Sequence, residues 1–149
     1  MKIGLDLEGG EALRAALLTL SRAVRRRALY SVLRPAAEPM RLRMQRLAPH
    51  GATGELAAGI TVSAAPRIGS VAGGQWQAAD EFQAAVAVGP SKLAFYGIFQ
   101  EYGTVEHPAQ AFGRPAFDGS RDEALQILGE GLWQLLEDAT NKTGRFEED

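Results

Sequence analysis

Apolar side chains recur at helical spacing soon after the start of the chain. Residues 1–10 are predicted to form a short strand or arm that ends at a glycine pair. From Glu11 onward the apolar positions are three or four residues apart, which is the pattern of a helix with one buried stripe. The stripe consists of Leu13, Leu17, Leu20, Val24 and Ala28. Arg22 and Arg26 are predicted on the opposite side of this helix.

Pro35 interrupts this pattern but does not end it. Because proline is accepted in the first turn of a helix, residues 35–48 are interpreted either as a second helix or as a kinked continuation of the first. Three arginines, Arg41, Arg43 and Arg46, lie beside its apolar stripe. That stripe consists of Ala36, Met40, Met44 and Leu47. Proline and glycines in residues 48–54 then predict the end of the helical region.

The middle of the chain changes to a two-residue period. Ile60, Val62 and Ala64 alternate with polar residues and predict a strand with one buried face. A short strand is predicted over residues 67–71, before a turn at Gly73-Gly74. An extended segment resumes at Trp76, and alternation from Phe82 continues to residues 89–90. Together these segments predict a small antiparallel sheet of about three to four strands.

The last predicted element is a helix that begins near Ser120. Ser120 and Glu123 have the spacing of a capping box, in which each side chain accepts a hydrogen bond from an exposed backbone N–H. Gly129 and Gly131 disfavour a helix and therefore indicate close packing there. The predicted stripe consists of Leu125, Leu128, Leu132, Trp133, Leu135 and Leu136. Residues 1–140 are predicted to form one domain, and residues 141–149 a polar, flexible tail.

These elements predict an α+β fold with an N-terminal helical region, a small antiparallel sheet and a C-terminal helix packed on the sheet. The chain has 149 residues, 46% of them hydrophobic, which suits one domain with its own core. It contains no cysteine, and no apolar run approaches the roughly 18–20 residues that span a bilayer. We therefore expect neither disulfides nor membrane insertion, and we expect synthesis in a cytoplasm.

Charge is divided unevenly along the chain. Residues 1–50 carry ten Lys/Arg and four Asp/Glu, a balance of +6, whereas residues 51–149 carry six and fourteen, a balance of −8. Such a division is compatible with ordinary solvated helix faces, with contact between the basic part of one subunit and the acidic part of another, or with nucleic-acid binding. The arginines that would bind nucleic acid are Arg22, Arg25, Arg26, Arg27, Arg41, Arg43 and Arg46.

The stretch from Tyr96 to Ala116 is predicted to be an ordered connection between two elements. Gly103 permits a backbone reversal, and Pro108 and Pro115 restrict the residues before them to extended conformations. We expect Glu101 to accept hydrogen bonds from backbone donors or to pair with an arginine such as Arg114. The aromatic residues Tyr96, Phe99 and Phe112 are expected to anchor this segment, either in the core or on a neighbouring subunit.

No catalytic or metal-binding pattern emerges from the sequence. His50 and His107 are the two histidines, and neither has a second ligand at a suitable spacing. Neither a nucleophile-elbow pattern nor a phosphate-binding glycine loop occurs. The sequence therefore predicts a protein that is not an enzyme and that uses no cofactor or metal.

Three motifs in a fixed order resemble a known family. They are Ala48-Pro49 followed by Thr53-Gly54-x-Leu56, then Tyr96 followed by Glu101-x-Gly103-Thr104, then Pro108 followed by Phe112-x-Arg114-Pro115-Ala116. In this order, between a basic helical region and a closing helix, they resemble the tail-completion (head–tail joining) family of long-tailed, non-contractile bacteriophages. The resemblance covers roughly residues 10–138.

The resemblance implies a structural virion protein of the phage neck. Members of this family join the head-closing connector, or stopper, to the tail terminator or tail tube. The sixfold symmetry of the tail implies a homo-hexameric ring, with DNA as passing cargo and no membrane partner. A tail-terminator subunit is the alternative within the virion. The residues expected to shape the loop or form an interface are Gly54, Tyr96, Phe99, Glu101, Gly103, Thr104, Pro108, Phe112, Arg114 and Pro115.

Overall fold

The structure, a computed structural model, describes residues 10–65, 67–68, 77–78, 84–91, 94 and 96–144. The predicted arm before residue 10, the Gly73-Gly74 turn, Trp76 and Phe82 lie outside the described residues. The described part has an α+β fold, as predicted. Its elements are α1 (Gly10–Leu18), α2 (Arg22–Leu47), α3 (Glu55–Ala58), β1 (Ile60–Ala65), β2 (Arg67–Ile68), β3 (Gln77–Ala78), β4 (Ala85–Pro90), α4 (Gly97–Tyr102) and α5 (Gly113–Gly144).

The four strands pair as two separate antiparallel ribbons. β1 pairs with β4, with Ile60 opposite Pro90 and Ala65 opposite Ala85, and β2 pairs with β3. The alternation predicted for β1 holds only partly, because Ile60 is buried, Val62 is half-buried and Ala64 is exposed. The core therefore lies under the start of β1 and the end of β4.

The first predicted helix is in fact two helices. Thr19 and Leu20 form a turn, and the hydroxyl of Ser21 caps α2 by accepting a hydrogen bond from the N–H of Val24 (3.4 Å). Leu13 and Leu17 are buried as predicted, but Val24 is half exposed. The predicted stripe was wrong at Val24, although Ala28 is half-buried, because the break between Leu18 and Arg22 interrupts the helical repeat.

α2 continues through Pro35 and Pro39 without interruption, which selects the continuous-helix interpretation. Prolines four residues apart lie on one side of a helix, where each removes one backbone hydrogen bond. Ala36 and Met44 are buried as predicted and Met40 is half-buried, whereas Leu47 is exposed at the C-terminal end.

α5 begins seven residues earlier than the Ser120 capping box predicted. Ser120 is completely buried inside the helix, where its hydroxyl donates a hydrogen bond to the carbonyl of Ala116 (2.7 Å). Trp133 was wrongly placed in the buried stripe: it is half exposed, and its indole N–H donates to the carboxylate of Glu137. The helix also continues to Gly144, four residues into the predicted tail.

α5 packs mainly along α2, and α2 in turn contacts β1 and β4. The predicted packing of the C-terminal helix on the sheet holds only at its N-terminal end, where Phe112 and Ala116 join the core beneath Ile60. A Cβ at Gly131 would collide with Val32 of α2, which explains this glycine by close helix packing. Gly129, by contrast, has nothing near its Cβ position.

Candidate functional site

The carboxylate of Glu101 closes the N-terminal end of α5. Its Oε2 atom accepts hydrogen bonds from the backbone N–H groups of Phe112 (2.8 Å) and Gly113 (2.7 Å), and its Oε1 atom accepts one from Arg114 (3.1 Å). N–H groups at the start of a helix have no partner within the helix, and here a side chain satisfies three of them. Glu101 lies in the last turn of α4 and thereby joins two helices. We call this arrangement the Glu101 clasp.

The clasp lowers the pKa of Glu101. Partial burial raises the pKa of this carboxyl, but hydrogen bonds from the N–H groups of Gly113, Phe112 and Arg114, together with the positive charge of Arg114, outweigh that effect. The N-terminal end of α5 adds a partial positive charge of its own. The expectation that Glu101 satisfies backbone donors is therefore confirmed.

The loop between α4 and α5, residues 103–111, is held by its own hydrogen bonds. Thr104 donates its backbone N–H to the carbonyl of His107 (2.9 Å), and its hydroxyl accepts from the N–H groups of Glu106 (3.3 Å) and His107 (3.1 Å). The N–H of Gln110 donates to the carbonyl of Gln100 (2.7 Å), which returns the chain to the end of α4. The loop thus has a defined conformation although its residues are largely exposed.

Gly103 makes this conformation accessible. Its φ of +75° and ψ of 178° lie in a region that essentially only glycine adopts. A Cβ at this position would also lie 2.7 Å from the backbone nitrogen of Ala109. Both the backbone angles and the space therefore require glycine, as the sequence predicts for a chain reversal.

A second glycine places α4 against the core. Gly97 is buried, and a Cβ there would lie 2.7 Å from Pro90 Cγ and 2.8 Å from Leu56 Cδ1. The first turn of α4 therefore contacts α3 and the end of β4 directly. This close approach fixes which side of α4 faces solvent.

The solvent-facing side of α4 and the loop that follows it carries large apolar side chains. Tyr102 is 72% exposed, Val105 is fully exposed, and about half of each of two further side chains is exposed. We call this surface the α4 patch; it consists of Ile98, Phe99, Tyr102 and Val105. Tyr102 follows Phe99 and Ile98 by three and four residues, so these side chains are neighbours on α4, and exposed apolar clusters mark interaction sites more often than isolated apolar residues do.

Two grooves lie on opposite sides of α2. The first, of about 390 Å³, adjoins the α4 patch and includes Met40, Met44, Val88, Pro90, Ile98 and Phe117. The second, of about 590 Å³, lies between α2, α3 and the turn that joins them. Its lining consists of Leu42, Gln45, Arg46, His50, Ala57 and Ala58. We call it the α2–α3 groove.

The predicted site residues separate into three environments. Phe112 is a core residue at 2% exposure, Tyr96 packs half-buried against the core, and Phe99 is exposed. Pro108 is exposed in the loop, and Arg114 and Pro115 are exposed in the first turn of α5. The extended conformation expected before Pro115 was therefore wrong, because proline is accepted in the first turn of a helix. Gly54 has a φ of +66° just before α3, which agrees with its predicted turn.

Sequence reasoning missed Ile98 and Val105. Ile98 shares helical spacing with Tyr102, and this i, i+4 pair was the available signal. Val105 had no periodic signal because it lies in the loop.

The arginines proposed for nucleic-acid binding do not form one free surface. Arg25 is buried and donates from Nε and Nη2 to the carbonyls of Leu17 (3.0 Å) and Leu20 (3.1 Å), which satisfies the end of α1. Arg41 pairs with Glu38 (2.8 Å), and Arg43 donates to the carbonyl of Gly119. Arg25 and Arg43 therefore bind backbone carbonyls, and Arg41 is paired with a carboxylate of its own helix. The other four are exposed: Arg22, Arg26, Arg27 and Arg46.

Within the described residues, no three His, Cys, Asp or Glu side chains are placed to share a metal ion, and no helix is long and apolar enough to cross a membrane. Comparison with known proteins found no matching family model, no similar curated protein and no similar solved structure.

Proposed function

We propose that this chain is a structural virion protein of a phage neck, where it joins the head-closing connector to the tail tube as a tail-completion ring. The observation that carries the proposal is the Glu101 clasp. Two motifs of the family resemblance, Glu101-x-Gly103-Thr104 and Phe112-x-Arg114, are separated in sequence but meet in this one arrangement. The carboxylate of Glu101 and the glycine at position 103 are residue types that this arrangement requires, whereas Phe112 and Arg114 take part through their backbone N–H groups.

The clasp gives the α4 patch a fixed shape before any partner binds. Its hydrogen bonds are internal to the chain, so the backbone that carries the exposed Tyr102 and Val105 is already ordered before association. Aromatic residues and preorganised surfaces are favoured at protein interfaces. A protein that assembles with neighbours on several sides needs such a surface.

The division of charge supports contacts between copies of the chain. A ring is built from heterologous contacts, in which two different surfaces of each subunit meet. The first 50 residues are basic and the remainder is acidic, so the chain carries both signs of charge that complementary contacts between copies would use. The fixed loop and the charge division together favour a structural role over a catalytic one.

The experiment is native mass spectrometry of the purified protein, alone and after mixing with tail tubes of the phage that encodes it. The proposal predicts a ring, with six copies expected, in at least one of the two samples. A monomer in both samples would contradict it. If such a monomer also bound duplex DNA with an affinity that falls steeply with salt, the four exposed arginines would indicate a nucleic-acid-binding domain instead.

A further inference from the structure

We propose that the tip of the α4–α5 loop in one copy of this chain inserts into the α2–α3 groove of the next copy, with Glu106 paired to Arg46. This inference rests on the proposed function, since it names the surfaces by which a ring would close. Its inserting element consists of Tyr102, Val105 and Glu106.

The loop tip has the form of an apolar projection with an acidic edge. Val105 is fully exposed, and Glu106 follows it directly and is exposed as well. Hydrogen bonds from the N–H groups of Glu106 and His107 to the Thr104 hydroxyl hold this turn. The backbone that carries both side chains is therefore ordered in the free subunit.

The α2–α3 groove has the complementary character. Leu42, which is about half exposed, and the alanines Ala57 and Ala58 supply an apolar floor. Arg46 and His50 lie at the same groove, and both are exposed. The apolar side chain of Val105 matches the apolar floor, and the carboxylate of Glu106 matches the positive charge of Arg46.

Tyr102 and the Leu42 side of the α2–α3 groove lie on different sides of α2. Tyr102 shares the first groove with Met40 and Met44 of α2. An α-helix turns by about 100° per residue, so Leu42 is about 200° from both methionines, on the other side of α2. Contact between such separated surfaces is heterologous and propagates from copy to copy, either closing a ring or extending a filament.

Charge reversal tests this pairing. Glu106→Arg places an arginine opposite Arg46, and Arg46→Glu places a glutamate opposite Glu106, so each variant alone faces like charges at every contact. We expect the subunit concentration needed for half-assembly to rise roughly 100-fold or more in each, because juxtaposed like charges at an interface cost several factors of ten. Native mass spectrometry of the full chain, under the conditions in which the unsubstituted protein assembles, measures this.

Mixing the two variants is the sharper measurement. In a mixed assembly every contact between unlike subunits joins an arginine to a glutamate, so assembly should return in strictly alternating order. Only rings with an even number of subunits can close in this way. The matched controls are Glu123→Arg and Arg34→Glu, which make the same charge changes at exposed positions outside both surfaces. Thermal melting of each variant checks that it remains folded.

Three results would overturn the pairing. Single variants that assemble like the unsubstituted protein would exclude this contact while leaving the proposed ring intact. Single variants that assemble normally but no longer bind tail tubes would assign the two surfaces to another protein. A monomeric unsubstituted protein, alone and with tail tubes, would reject the pairing and the proposed function together.

Discussion

The two ends of the molecule are built differently. At the clasp end, the C-terminal part of α2, α3, β1, β4, α4 and the start of α5 enclose a continuous core. That core consists of Met44, Ala48, Leu56, Ala57, Ile60, Ala94, Phe112 and Ala116. At the helical end, formed by α1, the N-terminal half of α2 and α5 from residue 121 onward, no residue of α5 from 121 to 141 is buried.

The number of enclosing elements explains this difference. The clasp end has helices, a ribbon and an ordered loop around one set of side chains, whereas α5 packs chiefly on α2 and α1 in the described part of the chain. Leu125, Leu128, Leu132, Leu135 and Leu136 are therefore only half-buried. A regular apolar stripe thus predicts which side of a helix faces inward, but the depth of burial depends on how many elements surround it.

The largest expected effect comes from removing the core aromatic at the clasp end. Phe112→Ala deletes a side chain that is 2% exposed and should lower the free energy of unfolding by about 3–5 kcal/mol. Trp133→Ala, at the helical end, removes a side chain that is half exposed and should cost less than about 1 kcal/mol. Urea denaturation of both variants measures the difference, and equal losses would contradict the comparison.

The second prediction concerns the loop. Gly103→Ala should cost about 1–3 kcal/mol through the backbone conformation alone, and the collision with Ala109 adds to that cost. Gly10→Ala is the matched control, since a Cβ there meets nothing within 4 Å and φ is not positive. Guanidinium denaturation measures both. Retention of full stability by Gly103→Ala would contradict the positive φ of Gly103 and its close contact with Ala109.

The third prediction sharpens the comparison through the clasp itself. Glu101→Gln keeps the size of the side chain but removes the charge that the three N–H groups of α5 contact, and should cost roughly 1–2 kcal/mol near neutral pH. Ser120→Ala should cost less, because that hydroxyl bonds a helix carbonyl and caps nothing. Urea denaturation at pH 7 ranks the two losses of stability. A greater loss in Ser120→Ala would indicate that Ser120, and not Glu101, caps the helix.

The pH dependence of stability carries the same information. Because the pKa of Glu101 is lowered in the folded state, its contribution to stability is present above the ordinary glutamate pKa. The contribution is lost as the pH falls from that value through the lowered, folded-state pKa. The stability difference between the native chain and Glu101→Gln should therefore shrink over this acidic range, and a difference that is constant with pH would contradict the clasp.

The smallest effects are expected at two glycines of α5 that lie two residues apart. Gly131→Ala forces a methyl group against Val32 and should destabilise the protein by about 1 kcal/mol in spite of the better helix propensity of alanine. Gly129→Ala meets no atom within 4 Å and should stabilise by about 0.5–1 kcal/mol. Thermal melting should show opposite signs; the same sign in both would contradict the close α2–α5 packing at Val32.

The comparison also shows which features could be predicted from the sequence. The helical region, the antiparallel pairing and the turns at Gly54 and Gly103 follow from local periodicity and from backbone angles that favour glycine. The start of α5 was not predicted correctly, because the capping box at Ser120 is a local signal. The actual cap is Glu101, which lies eleven to thirteen residues before the N–H groups that it contacts. Long-range contacts therefore overrode the local motif.

Within the candidate site, the sequence predicted the roles of Glu101 and Gly103 correctly, but it did not predict which aromatic side chains are buried. Glu101 and Gly103 have the roles expected of them, since a carboxylate before a turn and a glycine within it have few alternatives. Phe99 and Phe112 are both aromatic residues of one segment, yet one is exposed and the other is core. The exposure of Phe99 depends on how α4 is oriented, and that orientation depends on the close contact between Gly97 and Pro90. No periodic pattern in the sequence predicts this contact.

The central claim, that this chain joins heads to tails, is tested most directly by electron microscopy of particles made by the phage when this gene is deleted. The proposal predicts DNA-filled heads and separate tails of normal length, with joined particles restored by supplying the chain from a plasmid. Separate tails of abnormal length would indicate the tail-terminator role instead, because an uncapped tube can continue to grow. Intact, infectious particles in the absence of the chain would contradict the proposal.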